Sequence, residues 1–297
     1  MPQASRVLYL GPQLRVGRFD CAPGHPLWRT ANETGPWPLL AFPGTAVEIV
    51  QDGRAPLVAN ANQVVLYNPH QRYHRRLLDG RGDHCVFIGV APSLVAEALA
   101  PVDPAAAERE APFTRDHGPA DPRAAVESRL LARHLEAGDE LEPLWIEERA
   151  LHLLAAVVRG LTPAARARRT PAAHVELART IERALSLRFA EPDSLTQIAA
   201  AAGCSPFHAA RVFRACTGRT IHGYRHCLRL HAALQRLDDA GADLTDLALE
   251  TGFCSHSHLS AAFQRAFGAP PSRWRGRLGA ARLRALAGLL WAGARRP

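Results

Sequence analysis

The chain of 297 residues contains no lysine, and all 36 of its basic residues are arginines. Alanine, glycine and proline are abundant, which indicates the codon usage of a GC-rich genome rather than a functional requirement. Arginine still offers a planar fork of donors that suits phosphate and guanine. With 47% hydrophobic and 22% charged residues, the chain can form two domains with apolar cores, and it is not expected to be disordered or fibrous.

Long apolar runs are also missing. Proline and arginine interrupt the first 17 residues, so the sequence predicts no signal peptide. The longest apolar stretch, residues 285–292, is far shorter than the roughly 20 residues that a membrane-spanning helix needs. We therefore expect a cytoplasmic protein that does not enter a membrane.

Metal and redox motifs are absent. The six cysteines, at positions 21, 85, 204, 216, 227 and 254, show no C-x-x-C spacing, and in a reducing compartment we expect buried thiols rather than disulfides or zinc ligands. Of the 14 histidines, those at positions 25, 70, 74 and 84 lie in the first part of the chain and are the candidates for a metal site, but no cluster of carboxylates accompanies them. The chain is predicted to bind no metal and no cofactor.

Catalytic motifs are absent as well. The chain has no nucleophile elbow, no glycine loop of the phosphate-binding type and no H-E-x-x-H pair. We predict that it is not an enzyme.

Residues 1–120 show short apolar or alternating runs separated by turn signals such as Asp52-Gly53 and Asn68-Pro69. Runs at 46–50, 61–67 and 85–90 predict strands. Spaced strands of this kind predict a small β-sandwich or barrel. The fold class expected for the whole chain is α+β, because helical patterns follow.

A basic stretch at residues 69–76 interrupts this β region. We expect it to rim a pocket or to face the other domain, and His70, Arg72 and His74 are the candidate residues for binding an acidic effector. A solvated basic loop is the alternative.

The hydrophobic period changes to a helical one after residue 120. Apolar positions between 122 and 159 predict two helices, and Pro163, Pro171 and several arginines then predict an exposed linker. The expected division is 1–120 for the β domain, 121–160 for a helical segment, 161–173 for the linker and 174–297 for a second domain.

Two stretches of the second domain repeat each other. The offset is 49 from Ser194 to Asp243 and 50 from Phe213 to Phe263, so the second copy has one extra residue in its turn. Each copy has the parts of a helix-turn-helix: a first N-cap, a small residue at the helix crossing, a glycine turn and a second N-cap. In the two copies these parts are Ser194 and Asp243, Ala199 and Ala248, Gly203 and Gly252, and Ser205 and Ser255.

Residues 220–237, between the copies, predict one continuous helix about 27 Å long. This length suits two recognition helices in successive major-groove segments, about 34 Å apart. Charge supports DNA binding independently, because residues 171–297 hold 17 arginines against 9 acids while residues 1–170 hold 19 of each. A solvated basic face is the alternative explanation of the charge.

Residues 174–277 resemble the DNA-binding domain of the AraC/XylS family of bacterial transcription regulators. The matching residues are Leu195, Thr196, Ala199, Gly203, Cys204, Ser205, Phe213 and Gly218 in the first unit, and Asp246, Leu247, Ala248, Gly252, Phe253, Ser257, His258, Phe263, Ala266, Phe267, Gly268, Pro271, Ser272, Arg273, Trp274 and Arg275 in the second. The resemblance implies an all-α domain with two helix-turn-helix motifs joined by a linker helix. It also implies a cupin-like N-terminal sensor domain, although the H-x-H and Glu/His ligand pattern of metal-holding cupins is missing.

The resemblance implies which residues of the first unit face DNA. On a recognition helix expected over residues 206–216, Phe207 would contact a thymine methyl or a sugar, and Arg211 would fork to guanine O6 and N7. His208 and Arg214 are expected to bind phosphates.

The second recognition helix, expected over 256–267, has Ala261 where many family members have Arg or Lys. Base recognition would then depend on His256, Ser257 and Ser260. The expected phosphate contacts are Arg265, Arg273, Arg275 and Arg277. We hypothesise that the first unit contributes more sequence discrimination than the second.

The resemblance therefore predicts a sequence-specific transcription regulator, controlled by a small-molecule effector in its N-terminal domain, and it favours an activator. The expected partners are double-stranded DNA, the effector, RNA polymerase and a second copy of the chain. In family members the helices after the barrel often form the dimer interface, and simple packing against the barrel is the alternative. The alternative functions are a constitutive regulator with an N-terminal dimerisation or interaction scaffold and a metal-dependent cupin-type enzyme fused to the DNA-binding module.

Overall fold

The computed structural model describes residues 4–138, 141–161, 171–237 and 243–275. They fall into two compact units, one within residues 1–167 and one within 168–297. The first unit combines strands and helices, and the described part of the second is helical. This agrees with the predicted combination of a β-rich and an all-α part. Most of the predicted linker, Arg277 and the apolar run at 285–292 lie outside the described residues.

The strands of the N-terminal unit form two antiparallel sheets. They are β1 (Ser5–Leu10), β2 (Leu14–Cys21), β3 (Asn32–Glu33), β4 (Leu39–Pro43), β5 (Val47–Gln51), β6 (Leu57–Ala59), β7 (Gln63–Tyr67), β8 (Arg72–Leu77), β9 (Asp83–Val90) and β10 (His117–Pro119). One sheet has the order β1-β2-β9-β4-β7-β10 and the other β3-β8-β5-β6. Within the described residues no strand pair joins the two sheets, so they are open sheets and a closed barrel is not confirmed.

The central strands of the six-stranded sheet are buried on both faces. Along β4, Leu40 and Phe42 pack against helices, whereas Leu39 and Ala41 belong to a second apolar cluster shared with the four-stranded sheet. Successive side chains of a strand point to opposite faces, so a strand covered on both sides needs an apolar residue at nearly every position. This explains the continuous apolar runs that predicted β7 and β9.

The helices of the N-terminal unit are α1 (Pro92–Leu99), α2 (Pro122–Ala137) and α3 (Pro143–Leu161). The sequence predicted α2 and α3, but not α1, which lies within residues 1–120, the predicted β domain. Residues of all three helices share one core with β2, β4, β7 and β9. Packing of these helices against the β layer is therefore confirmed, while a dimer interface stays a prediction.

The helices of the C-terminal unit are α4 (Ala172–Arg188), α5 (Leu195–Ala201), α6 (Pro206–Thr217), α7 (Ile221–Arg236), α8 (Leu244–Glu250), α9 (His256–Phe267) and α10 (Pro271–Trp274). The pairs α5–α6 and α8–α9 are the two predicted helix-turn-helix motifs, and α7 is the predicted linker helix. Its 16 residues span about 24 Å. None of the described helices is long and apolar enough to span a membrane.

Candidate nucleic-acid interface and inter-sheet cavity

Both helix-turn-helix units begin with the predicted caps. The Ser194 hydroxyl accepts a hydrogen bond from the Gln197 amide at 3.2 Å, and the Gln197 side chain accepts one from the Ser194 amide at 2.8 Å, which completes a capping box. In the second unit, the Asp243 carboxylate accepts from the Thr245 amide at 2.6 Å. These bonds satisfy amides that have no partner inside the helix.

The turns between the paired helices depend on glycine. Gly203 and Gly252 have φ values of 69° and 84°, a region that L-residues avoid. Ala199 and Ala248, on the preceding helices, are completely buried, which allows the recognition helices to cross closely.

The extra residue of the second turn can be identified from the backbone. The Cys204 amide donates to the Ala199 carbonyl at 3.0 Å, and the Phe253 amide makes the equivalent bond to Ala248 at 2.8 Å. Cys204 and Phe253 are thus equivalent, so the added residue is the exposed Cys254.

The recognition helices α6 and α9 are bounded in the same way. Ser205 and Ser255 cap them by accepting from the amides of His208 at 3.3 Å and His258 at 3.1 Å. They end at Gly218 and Gly268, whose φ values are 73° and 75°. The same local chemistry therefore sets the length of both helices.

The solvent face of α6 combines an aromatic side chain with two cations. Phe207, Arg211 and Arg214 lie at positions i, i+4 and i+7 and share one stripe, because such residues are neighbours on a helix. Phe207 is 79% exposed, although a phenylalanine in a monomeric domain is usually buried. His208 flanks the stripe, and its Nδ1 lies 3.4 Å from Nη2 of Arg211. The opposite face, with Ala209, Val212 and Phe213, is core.

The equivalent stripe of α9 holds no cation. Its residues, 50 positions later, are Ser257, Ala261 and Gln264, and all three are exposed. The Gln264 amide nitrogen already donates to the Gly268 carbonyl at 2.8 Å. The predicted base-contacting residues His256 and Ser260 lie beside this stripe, with the Ser260 hydroxyl 3.2 Å from His256 Nε2.

The predicted phosphate contacts of the second unit differ in exposure. Arg265 is exposed beside the α9 stripe, and its Nε donates to the Ala261 carbonyl of its own helix at 3.3 Å. Arg273, in α10, is exposed, while Arg275 is half-buried.

Two arginines of the linker helix α7 have a structural role that the sequence pattern did not reveal. Arg225 Nη1 donates to the Asp193 carbonyl at 2.6 Å, and Arg229 Nε donates to the Phe189 carbonyl at 2.6 Å. Arg229 Nη2 also reaches the Glu191 carbonyl at 2.9 Å. They satisfy carbonyls after the end of α4, so the excess of positive charge overstates the number of arginines that can face DNA.

A cavity of about 420 Å³ lies between the two sheets of the N-terminal unit. Its apolar wall comes from both sheets and includes Leu39, Ala41, Val47, Ile49, Val65 and Phe87. Binding pockets for small molecules commonly measure about 300–1,000 Å³, so this cavity has the volume of such a site.

The predicted effector residues His70, Arg72 and His74 are not among those that line this cavity. Arg72 and His74 lie on β8 and are exposed, whereas Tyr73 and Arg75 of the same strand point inward. Residues 72–77 of this region form strand β8, and the alternation of its side chains places Tyr73 and Arg75, rather than Arg72 and His74, at the cavity.

Inside the cavity, Arg75 is neutralised. Its Nη1 donates to the Asp83 carboxylate at 2.8 Å, its Nη2 donates to the Tyr73 hydroxyl at 2.5 Å, and its guanidinium lies 4.0 Å from the centre of the Phe19 ring. The Arg75 and Asp83 side chains are only 1% and 7% exposed.

Neutral polar groups complete the wall. Burial raises the pKa of Tyr73 to about 12 and holds the pKa of Cys85 well above its usual value. Both side chains therefore stay protonated at neutral pH. No group of three or more His, Cys, Asp or Glu side chains within residues 4–138, 141–161, 171–237 and 243–275 is arranged to hold a metal ion.

Comparisons with known proteins concern mainly the C-terminal unit. A family model described as a helix-turn-helix domain matches residues 198–277. The regulatory protein SoxS of Escherichia coli is 31% identical over 88 residues, which cover 30% of this chain and 82% of SoxS. The uncharacterised HTH-type transcriptional regulator YbfI of Bacillus subtilis is 25% identical over 202 residues, 68% of this chain and 71% of YbfI.

Among solved structures, the chain is similar to the DNA-binding domain of AdpA in complex with a target DNA. The identity is 27% and the TM-score 0.31, and the match covers 33% of this chain and 88% of the AdpA chain.

Proposed function

This chain belongs to the AraC/XylS family of DNA-binding transcription regulators, and on that premise we propose that it recognises a specific DNA site chiefly through its first helix-turn-helix unit and responds to a small molecule in the inter-sheet cavity. The solvent-facing stripe of α6 is the observation that supports recognition through the first unit. Phe207 and Arg211 offer an apolar contact and a forked donor, the two kinds of group that distinguish base pairs in the major groove.

The second unit positions the domain under this proposal. Ser257 and Ala261 offer only weak contacts to bases, while Arg265 and Arg273 can neutralise phosphates. His208, Arg214, His256, Ser260 and Arg275 complete the proposed DNA-contacting set. Phosphate contacts set the register on the duplex without distinguishing its sequence.

The cavity supports the responsive part of the proposal. We propose a cupin-like sensor unit, formed by the two stacked sheets, whose ligand occupies the space between them. A ligand changes DNA binding only if it binds one arrangement of the protein better than another. The regulator acts as an activator in the cytoplasm under this proposal, as a homodimer that contacts RNA polymerase.

Selection of DNA fragments from the source genome by the full-length protein tests the proposal. The selection is repeated with and without a small-molecule extract of the same cells. We expect one enriched motif, and a change in its enrichment when the extract is added. Selected fragments that share no motif would contradict specific recognition. A motif whose enrichment is the same with and without extract would contradict ligand response.

A second candidate is a constitutive regulator whose N-terminal unit is a dimerisation scaffold. It is favoured by Leu144 and Leu151, which lie seven residues apart on one face of α3 and are 66% and 38% exposed. Because both candidates can dimerise, sedimentation of the wild type and of Leu144→Glu distinguishes them only together with the extract experiment. A dimer that the substitution dissociates, together with DNA binding that no extract changes, would favour the scaffold.

A further inference from the structure

One arginine in the inter-sheet cavity has no acidic partner. The charged side chains that line the cavity are Arg15, Glu33, Arg75 and Asp83. Arg75 and Asp83 neutralise each other, and Glu33 is more than half exposed, with its carboxylate 3.4 Å from His70 Nδ1. The Arg15 side chain makes no hydrogen bond or ion pair in the part of the chain that the structure describes, and its Nε is buried.

A glycine determines where the Arg15 side chain runs. Arg15 of β2 lies directly opposite Gly89 of β9, and Gly89 in turn lies opposite Leu39 of β4. A Cβ at position 89 would lie 2.6 Å from Cγ of Arg15, so the side chain can cross β9 only because that position is glycine. This route carries the guanidinium towards the segment before β4.

The guanidinium is held at the far side of this crossing. A Cβ on Gly35 would lie 3.3 Å from Nη2 of Arg15, and Cζ of Arg15 lies 5.6 Å from the centre of the Trp37 ring. A cation at this distance is attracted by the ring face. The charge is therefore placed before any ligand arrives, which lowers the entropy lost on binding.

A half-buried cation without a counter-ion favours an anionic ligand. Burial lowers the pKa of Arg15, and no carboxylate of the described residues offsets that effect. A carboxylate matches the planar fork of a guanidinium and can accept two parallel hydrogen bonds from it. Since Arg75 is already paired with Asp83, one carboxylate is enough to give Arg15 a partner.

We propose that the cavity binds a small monocarboxylate with an apolar body, with Arg15 holding the carboxylate and the walls of the two sheets enclosing the apolar part. This inference deepens the proposed sensing function and rests on it. Tyr73 and Cys85 are protonated neutral groups and do not repel the acid.

Binding of four acids to the full-length protein tests the proposal. The probes are butanoate, hexanoate, octanoate and benzoate, each compared with its primary amide as an uncharged equivalent, and Kd is measured by titration calorimetry. We expect at least one acid to bind about tenfold or more tightly than its amide, because a charge-assisted bidentate pair is stronger than a neutral bond. Failure of all four acids to bind, or equal binding of acids and amides, would overturn the proposal.

Three variants locate the binding group. Arg15→Met should bring the affinity for the acid down to that of the amide, and Gly89→Ala should weaken binding of the acid although Arg15 is retained. Arg72→Met, an exposed arginine on β8, is the matched control and should bind like the wild type. Equal affinities of Arg15→Met and the wild type, or a similar loss in Arg72→Met, would contradict the role of Arg15. If Arg15→Met does not fold, Arg15→Lys takes its place in the comparison of acid with amide. This variant keeps the charge but loses the planar fork of donors.

The same protein is assayed for DNA binding with and without the bound acid, which separates this inference from the proposed function. An acid that binds through Arg15 but leaves DNA binding unchanged supports the ligand class and contradicts ligand response. DNA binding that is changed by an uncharged molecule, with no acid bound, supports the proposed function and overturns the ligand class.

Discussion

Arg211 and Ala261 occupy the same position in the two recognition helices, 50 residues apart, and both are exposed. The two units share their caps, their glycine turns and their helix bounds. They differ at the surface that would meet DNA, so the repeat preserves the scaffold and varies the chemistry that it presents.

The difference between the units predicts unequal effects on specificity. Arg211→Ala should abolish the preference at one base pair, a loss of about 1–3 kcal/mol in discrimination, while Ser257→Ala should have a much smaller effect. The reciprocal change Ala261→Arg should add affinity. Binding to a library of operator variants measures all three. Equal losses in Arg211→Ala and Ser257→Ala would contradict the hypothesis that the first unit dominates recognition.

The exposed Phe207 should matter for DNA binding and not for folding. Phe207→Ala removes an apolar contact to DNA, so we expect about a tenfold loss of DNA affinity, with a change in the free energy of unfolding of about 0.5 kcal/mol or less. Leu249→Ala, at another exposed apolar residue, on α8, is the control and should leave both quantities unchanged. Fluorescence anisotropy and urea unfolding provide the measurements. A large loss of stability in Phe207→Ala would show that this residue packs within the protein.

The turn glycines predict unequal costs for the same substitution. In Gly203→Ala nothing lies within 4 Å of the added Cβ, so only the left-handed backbone conformation opposes the substitution. We expect the free energy of unfolding to fall by about 1–2 kcal/mol. In Gly252→Ala the Cβ would lie 2.5 Å from the Ala190 carbonyl oxygen and 2.8 Å from Arg229 Nε, so we expect a larger cost. Thermal unfolding of the two variants checks this order. Equal shifts in Tm would contradict the packing of Gly252 against the segment after α4.

The buried pair Arg75–Asp83 should be sensitive to the loss of one partner. Asp83→Asn leaves a buried cation without its counter-charge, which costs about 3–5 kcal/mol, while the double variant Arg75→Met/Asp83→Leu should recover much of that loss. Glu176→Gln, which removes the exposed partner of Arg179, is the control and should cost less than about 1 kcal/mol. Urea unfolding measures the differences. A double variant less stable than Asp83→Asn would contradict this account.

The pair His84–Asp20 predicts a pH dependence. His84 Nδ1 lies 2.7 Å from the Asp20 carboxylate and Nε2 lies 2.9 Å from the Arg81 carbonyl, so both ring nitrogens face acceptors. The carboxylate raises the pKa of His84, and the bond from His84 lowers the pKa of Asp20. The His84 contribution to stability is therefore complete below its unfolded pKa of about 6.5 and is lost as the pH rises through its folded pKa.

The Asp20 contribution to stability depends on pH in the opposite direction. It is present above the unfolded pKa of Asp20 and is lost as the pH falls through the folded pKa. Thermal unfolding at about pH 6 and about pH 8 should show a lower Tm at the higher pH for the wild type, and a smaller difference for His84→Gln. The control is His174→Gln, at a histidine of the other unit. An equal pH effect in the wild type and in His84→Gln would exclude this pair as its source.

Expectations drawn from local pattern were confirmed in the C-terminal unit. Ser194, Ser205, Asp243 and Ser255 cap their helices, because a cap depends on the residue and on amides two or three positions away. Expectations that needed contacts across the chain were incomplete. His70, Arg72 and His74 lie outside the lining of the inter-sheet cavity, which Tyr73 and Arg75 of the same strand reach. Arg229 was counted in the basic charge, although it binds carbonyls near residue 190.

The sequence by itself determined the repeated helix-turn-helix, its caps and turns, and the family, since each of these depends on residues close together in the chain. Only the tertiary structure decided what lines the cavity. Arg15 reaches it by crossing Gly89, 74 positions away, and Tyr73 and Arg75 line it because one face of β8 packs over the other sheet. Such a site is assembled from strands that are distant in sequence, and its register is set by packing rather than by local propensity.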